Sequence, residues 1–494
     1  MVDLPVVPVP VHGERRDGRA FRVSRATRVV VGDDPGAVST GVLLAQRVGE
    51  LLDAAVEVVG EDDGSPGAVV LRLVTDPARL SLPAAPDPEI AAEAYRLEVD
   101  ADRVVVTALD PCGLLRGLAT LEQLVVVGDG AATVAPVLVV DHPRFAWRGL
   151  SLDLARHWFS PDVLREVVGV LFTLRMNTLH LHLTDDQGWR LEIASRPALT
   201  EVSGATAVGG DPGGFLTRAD YASLVTYAAA RGITVVPEID LPGHVNAAQH
   251  AYGSLTPSGE PRPLYTGVGV GFSRLHAEAA DTLPFITDVL REVAAATPGR
   301  YVHIGGDEAL TMHAAEYDRL VAHAAAVVTA AGKRVVGWQE VARAPLPPGA
   351  VVQYWDERES VAAVTGAAAA GARVLLSPAS KVYLDMRYDA RTPAGSDWAG
   401  YIGLRDSYDW EPASLLPVPE DRLAGVEAAL WSENVRTSRE LHQLLLPRLA
   451  AVAELAWSPR EARSWPGFCR RLRRLASRWD AQGLPWYRDA LEEP

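Results

Sequence analysis

Tyr301–Glu308 reads YVHIGGDE. Tyr301, Val302 and Ile304 make a short apolar strand around the polar His303, and the strand runs into two glycines and an acidic pair, Asp307 and Glu308. Gly-Gly at a strand end lets the backbone bend sharply and lets a ligand come close. Carboxylates just beyond such a bend are costly when buried without partners. A lone Asp-Glu is commonly a solvated turn. Here it is one of eight strand ends that carry polar residues, and that repetition decides the fold.

Three such strands precede it: RGLSLDLAR (Arg148–Arg156), TLHLHLTDD (Thr178–Asp186) and ITVVPEID (Ile233–Asp240). Four follow: RVVGWQE (Arg334–Glu340), VVQYWDE (Val351–Glu357), RVLLSP (Arg373–Pro378) and GVEAALWSEN (Gly425–Asn434). Helical spacing at Pro161–Arg175, Arg218–Arg231, Leu283–Ala296, Ala314–Ala331 and Ser360–Gly371 separates several of them. Apolar strand, polar C-terminal end and helix, repeated, predict an α/β fold: a (β/α)8 TIM barrel whose chemistry sits at the C-terminal strand ends. The barrel is expected over residues 141–494, closing with a terminal helix built on the basic amphipathic run RRLRRL. Residues 1–140 predict a small non-catalytic α+β domain. Its strands are expected at Val6–Pro10, Arg28–Val31, 56–59, 68–74, 95–99 and 103–108, and its helices at Ala37–Leu52 and Gly113–Val127.

The composition, 48% hydrophobic and 22% charged over 494 residues, is that of an ordinary globular protein with a large core. A formal net charge of -16 repels phosphate backbones and anionic membrane surfaces, so neither nucleic acid nor membrane is an expected partner. No stretch approaches the roughly 18 apolar residues of a membrane span. The N-terminal MVDLPVVPVPVHGERRDGRAF lacks the basic and apolar regions of a signal peptide, which gives a cytoplasmic expectation for the chain as written. Cys112 and Cys469 lie far apart, neither is near a Cys or His at metal-ligand spacing, and both read as free thiols.

The barrel reading delivers Arg156, His182, Asp185, Asp186, Glu238, Asp240, His244, Asp307, Glu308, Trp338, Trp355, Trp431 and Glu433 to one mouth. Tryptophans beside carboxylates suit a sugar: the indole covers the C–H face of a pyranose while the charged groups take its hydroxyls. Two long loops, Gly188–Leu216 and Tyr383–Leu416, border that mouth, and the second is rich in aromatic and acidic residues. Trp147, Trp465 and Trp479 read instead as core. Glycoside hydrolysis ordinarily sets two carboxylates on opposite sides of the scissile bond. Asp307 and Glu308 are chain neighbours, an awkward placement for acid and nucleophile to face each other. The placement fits better if a 2-acetamido carbonyl of the substrate is the nucleophile, with one carboxyl as general acid and its neighbour holding the amide N–H.

RGLSLDLARHWF, MNTLHLHLTDDQGWRLEI, VVPEIDLPGH, YVHIGGDE, YLDM and LWSEN resemble, in that order, glycoside hydrolase family 20, the bacterial β-N-acetylhexosaminidases. GLLRGLATLEQL at 113–124 resembles the family's non-catalytic domain. The resemblance implies exo-acting, retaining release of terminal β-linked GlcNAc or GalNAc through an oxazolinium, from a small-molecule or oligosaccharide substrate, with no cofactor and no metal. It implies Glu308 as general acid and then base, Asp307 and Tyr383 on the acetamido group, and Trp338, Trp355 and Trp431 as its box. Arg156 and Glu433 would bind the hydroxyls at C3 and C4, and Asp385 those at C4 and C6. Asp185 and His244 would form a polar relay beside Glu308, and Asp186 and Asp240 would close strand-end hydrogen bonds.

Two other readings start from the same residues. His180 and His182 share one strand face, and with His244 and His303 they could hold a metal in a metal-dependent hydrolase. A catalytically inactive sugar-binding barrel would be expected to lack Asp307 or Glu308, and both are present.

Overall fold

The computed structural model describes residues 4–82, 87–128 and 131–491. Eight apolar runs become strands β1 (Trp147–Asp153), β2 (Thr178–His182), β3 (Thr234–Glu238), β4 (Tyr301–His303), β5 (Arg334–Trp338), β6 (Val351–Tyr354), β7 (Arg373–Leu376) and β8 (Leu423–Leu430). Among the described residues they pair parallel in chain order, and β8 returns to β1 to close a barrel. Every residue of β1, β2 and β8 is buried, which is why these strands read as apolar runs and not as an alternation. Helices Pro161–Thr173, Arg218–Ala229, Thr282–Ala296, Ala314–Ala330 and Ala362–Ala369 follow β1, β2, β3, β4 and β6. Local chemistry fixes their starts: Pro161 opens the first, and Thr217 with Asp220 forms a capping box on the second. Behind β5 stands only a 3-10 turn, Gln339–Arg343, so this connection stays at the mouth.

The barrel interior is layered. Trp147, Val236, Tyr301, Val336, Val351 and Leu375 plug the base. One step further along the strands the lining turns polar. Glu427 accepts from Trp147 Nε1 at 2.6 Å and Gln353 Nε2 at 3.0 Å, and lies 2.9 Å from His180 Nδ1. Above it Glu238 meets His180, His182 and His303 at 3.0, 2.7 and 3.1 Å. His180 and His182 point the same way because the strand period is two.

The N-terminal residues form a seven-stranded mixed sheet among those described. Its order is His12–Arg15, Val137–Asp141, Tyr95–Val99, Arg103–Ala108, Ala68–Leu73, Arg28–Val31, Glu57–Val59. Helices Pro35–Leu52 and Pro111–Leu124 pack on it, and a second, three-stranded sheet lies beside it. Two expectations are corrected. Val6–Pro10 is not a strand. Its alternating prolines have no N–H to give a ladder, and its polar groups bond side chains instead: Val7 N to Gln123, Val9 N to Glu454, and Pro8 O to Arg175. The second helix stops at Leu124, and Val126–Gly128, rich in β-branched residues, pairs with Ala131–Thr133 as a strand.

Charge fastens this layer to the base of the barrel. Asp141 accepts from Tyr95 Oη at 2.9 Å, Trp457 Nε1 at 3.0 Å and Arg175 Nη1 at 2.5 Å, while its other oxygen takes the backbone N–H of Val11 and His142. Glu93 holds Arg116 at 2.6 Å, Asn177 at 3.0 Å, and Arg148. The C-terminal helix Trp465–Ala481 buries Phe468, Leu472, Leu475 and Trp479, and its Arg471 clasps Glu454. Among the described residues no helix is long and apolar enough to cross a membrane.

Candidate active site

The turn after β4 is left-handed at Gly305 (φ 68°) and Gly306 (φ 110°), and Glu308 follows at φ 47°. A side chain at Gly305 would have its Cβ 1.7 Å from Asp240 Oδ1, so only glycine fits. Asp240 Oδ1 in turn accepts Gly306 N at 3.1 Å and holds the turn. The left-handed backbone at Glu308 is the sort of local strain that surrounding structure must enforce. Its effect is to bring Asp307 and Glu308 to the same imidazole. His244 Nε2 lies 3.6 Å from Asp307 Oδ2 and 3.4 Å from Glu308 Oε2.

These carboxylates open into a cavity of about 340 Å³ at the C-terminal strand ends. Of the residues expected there, Arg156, Asp307, Glu308, Trp355, Tyr383, Trp431 and Glu433 line it directly. Trp338 lies one layer deeper, 1% exposed, with its centroid 5.6 Å from the Trp431 ring and its N–H on Glu238 at 2.7 Å. Tyr383 and Trp355 stand nearly parallel, 10° apart with centroids at 6.2 Å. Asp385 is buried beside the cavity, and neither of its oxygens has a hydrogen bond of ordinary geometry. Asp185 and His244 lie beneath the acid pair. His244 Nδ1 is 3.1 Å from Asp185 Oδ1, and Asp185 Oδ2 takes Arg156 Nη2 at 2.7 Å and His182 Nε2 at 2.8 Å. Asp186 bonds Ser273 and the N–H of Asn246.

Four wall residues stood outside the expected set. Trp398, 48% exposed, sits edge-on to Trp355 and Tyr383 with centroids at 6.3 and 5.8 Å, and Arg358 lies over its ring at 5.4 Å. Val268 and Val270 also line the cavity. Arg358 follows the end of β6 by a few residues, a signal that was readable. The valines come from a glycine-rich loop whose path no local pattern specifies.

Burial and neighbours move the charges. Burial lifts Asp307, His244 opposes the lift and Glu308 adds to it, leaving Asp307 at about 6. Burial opposes the charge of His244, but Asp185, Asp307 and Asp240 outweigh it and push its pKa well up. Burial would raise Asp185, yet Arg156 and His244 hold it well below the usual carboxylate range. Burial and then Asp307 push Glu340 up to about 8. Burial, then Glu433, raises Asp385 well above its ordinary value.

Among the described residues, four groups bring ligand atoms within 4.8 Å of one another: His180–Glu238–His303, His182–Glu238–Asp240, Asp185–Asp240–His244 and His244–Asp307–Glu308. In the first three, imidazole nitrogens face carboxylates at 2.7 to 3.1 Å, close to the spacing of charge-assisted hydrogen bonds, and in the fourth at 3.4 and 3.6 Å.

A sugar-sized cleft walled by indole and phenol rings, with carboxylates at its floor and at the C-terminal end of a closed barrel, marks a glycoside hydrolase. The comparisons agree. The catalytic-domain model of glycosyl hydrolase family 20 matches residues 145–322 and 311–460, and the model of that family's domain 2 matches residues 3–142. The chain is 53% identical over 489 residues to a β-N-acetylhexosaminidase of Cellulomonas fimi, covering 99% of this chain and 96% of that protein. It is 40% identical to the GH20 β-N-acetylhexosaminidase structure from Streptomyces coelicolor, with a TM-score of 0.91 and coverage of 99% and 98%. A mutant Streptomyces plicatus β-hexosaminidase in complex with its product GlcNAc is 40% identical, with a TM-score of 0.91 and coverage of 99% and 97%. The chain belongs to glycosyl hydrolase family 20, the β-N-acetylhexosaminidases.

Proposed function

We propose that this glycoside hydrolase removes terminal, non-reducing β-linked GlcNAc or GalNAc with retention, using the substrate's own 2-acetamido group as nucleophile. The observation that carries the reading is Asp307 Oδ1. It is buried, walled by Trp355 and Tyr383, and has no hydrogen-bond partner among the described residues. An acetamido N–H placed there satisfies it, and the Tyr383 hydroxyl then meets the acetamido oxygen. The relatives from Streptomyces plicatus and Cellulomonas fimi support the sugar class, through a bound GlcNAc and an enzyme name respectively.

The acetamido oxygen attacks the anomeric carbon as the glycosidic bond breaks. Glu308 gives its proton to the departing oxygen. Asp307, ionised, holds the N–H and balances the positive charge of the oxazolinium. Glu308, now a carboxylate, takes a proton from water, which opens the ring with net retention. Asp307 and Glu308 are chain neighbours that converge on one imidazole nitrogen, which suits an acid beside an amide-holding carboxylate. His244, backed by Asp185, stands where it can accommodate both charge states of Glu308. Arg156 Nε has no hydrogen bond and lies 3.9 Å from Glu433 Oε1, which leaves room for the hydroxyls at C3 and C4 between them. Asp385, near Glu433 and without a hydrogen bond of ordinary geometry among the described residues, takes those at C4 and C6.

The test is hydrolysis of a chromogenic β-N-acetylglucosaminide beside the plain β-glucoside, with and without chelator. The reading expects cleavage of the acetamido sugar alone, indifferent to chelator. Comparable cleavage of both overturns substrate assistance, and chelator sensitivity restores the metal-dependent alternative.

A further inference from the structure

Trp338, Gln339 and Glu340 are consecutive, yet they serve the cavity from two directions. Trp338 lies beneath its floor, against the Trp431 ring. The next two residues reach sideways to the end of β6 and take hold of Trp355. Gln339 Oε1 accepts the backbone N–H of both Trp355 and Asp356 at 3.0 Å, and its Nε2 donates to Asp356 O at 3.2 Å. Glu340 Oε2 accepts the indole N–H of Trp355 at 3.3 Å. Trp355 is thus gripped at its backbone by one side chain and at its ring by the next. The grip is available because β5 is followed by a 3-10 turn in place of the helix that follows the preceding strands.

From this geometry we infer that Gln339 and Glu340 are positioning residues that set the enzyme's selectivity for the N-acyl group of its substrate. The inference rests on the substrate-assisted reading above. Trp355 and Tyr383 face each other as nearly parallel rings on the acyl side of Asp307. The spacing between them fixes which acyl chain lies flat enough to attack. A ring anchored at one edge by its N–H and at its base by two backbone bonds cannot swing to admit a longer chain. The Glu340 carboxyl is kept neutral by burial and by Asp307, so it anchors the indole without setting a second negative charge beside the group that meets the oxazolinium.

The measurement is kcat/KM on nitrophenyl glycosides of N-acetyl-, N-propionyl- and N-butyryl-β-glucosamine. In an enclosed apolar pocket one methylene is worth about 10-fold or more, so the wild type should favour acetyl over propionyl by at least about that factor. Glu340→Ala and Gln339→Ala should shrink the acetyl-to-propionyl ratio at least about fivefold, chiefly by gaining on the longer chains. Glu340→Gln keeps a carbonyl for the indole and should retain the wild-type ratio. If Glu340→Ala does not fold, Glu340→Leu fills the volume without an acceptor and serves in its place. An unchanged ratio in folded Glu340 and Gln339 variants overturns the inference, as does a ratio that falls equally in Glu340→Gln. Failure of the underlying reading shows separately, in wild-type enzyme that cleaves a plain β-glucoside as readily as the acetamido sugar.

Discussion

At the base of the barrel, Asp141 and Glu93 have both carboxylate oxygens engaged by donors. At the mouth, Asp307 Oδ1, Asp240 Oδ2 and both oxygens of Asp385 have no partner of ordinary geometry among the described residues. The two regions bury similar residue types at opposite ends of the barrel. Their pKa directions differ accordingly. Burial would raise Glu93, but Arg148 and Arg116 hold it below its ordinary value, whereas burial raises Asp307 to about 6 and Glu340 to about 8. Paired charge at the base serves cohesion. Unpaired charge at the mouth costs stability and is available to a ligand.

The sharpest way to break this contrast is to exchange which property each end loses. Glu308→Gln should lower kcat on a chromogenic β-N-acetylglucosaminide about 1000-fold, with little change in melting temperature. Asp141→Asn should do the reverse. It leaves Arg175 facing a neutral partner and should cost about 3 kcal/mol in a denaturant titration, while the folded fraction keeps its specific activity.

Acid should separate the two ends without mutation. Under the proposed chemistry Asp307 is ionised to balance the oxazolinium, so kcat/KM should fall as pH drops through about 6. Glu93 has a lowered folded pKa, so its stabilising contribution is present above its ordinary 4.5 and fades only as pH falls through the lower folded value. Between about pH 6 and 4.5 activity should fall while the far-UV signal and melting temperature hold. Coincident loss of both would erase the distinction. The smallest expected effect is a gain. Glu340 has a raised pKa, so ionising it costs stability as pH rises from 4.5 through about 8. Glu340→Gln should therefore raise the melting temperature by about 1–2 °C at pH 9 and by nothing measurable at pH 5.

Legibility in the sequence follows the same division. The eight barrel strands were readable because each is a local apolar run with a polar end. Most mouth residues were readable because they sit on those ends or, like His244, just beyond one; Tyr383 and Asp385 came through the family resemblance, and Val268 and Val270 were not readable. The base cluster was not, because it is made of long-range pairs: Asp141 is 34 residues from Arg175 and 316 from Trp457. The expected domain boundary falls at Asp141, and that residue is the hub of the base cluster. Val6–Pro10 was misread for a related reason: its valines suggest a strand, but its partners are side chains from three distant elements. Gln339 and Glu340 were legible as the polar end of β5, but their partners Trp355 and Asp356, just beyond β6, were not.

The plug of Trp147, Tyr301 and their apolar neighbours leaves the cleft with a single door. Under the proposed chemistry a released monosaccharide must go out the way the next chain end comes in. An oligosaccharide substrate would therefore have to let go after each cut, so turnover on it would be distributive: intermediates of every length would accumulate, and free N-acetylhexosamine would compete directly with substrate for one vestibule.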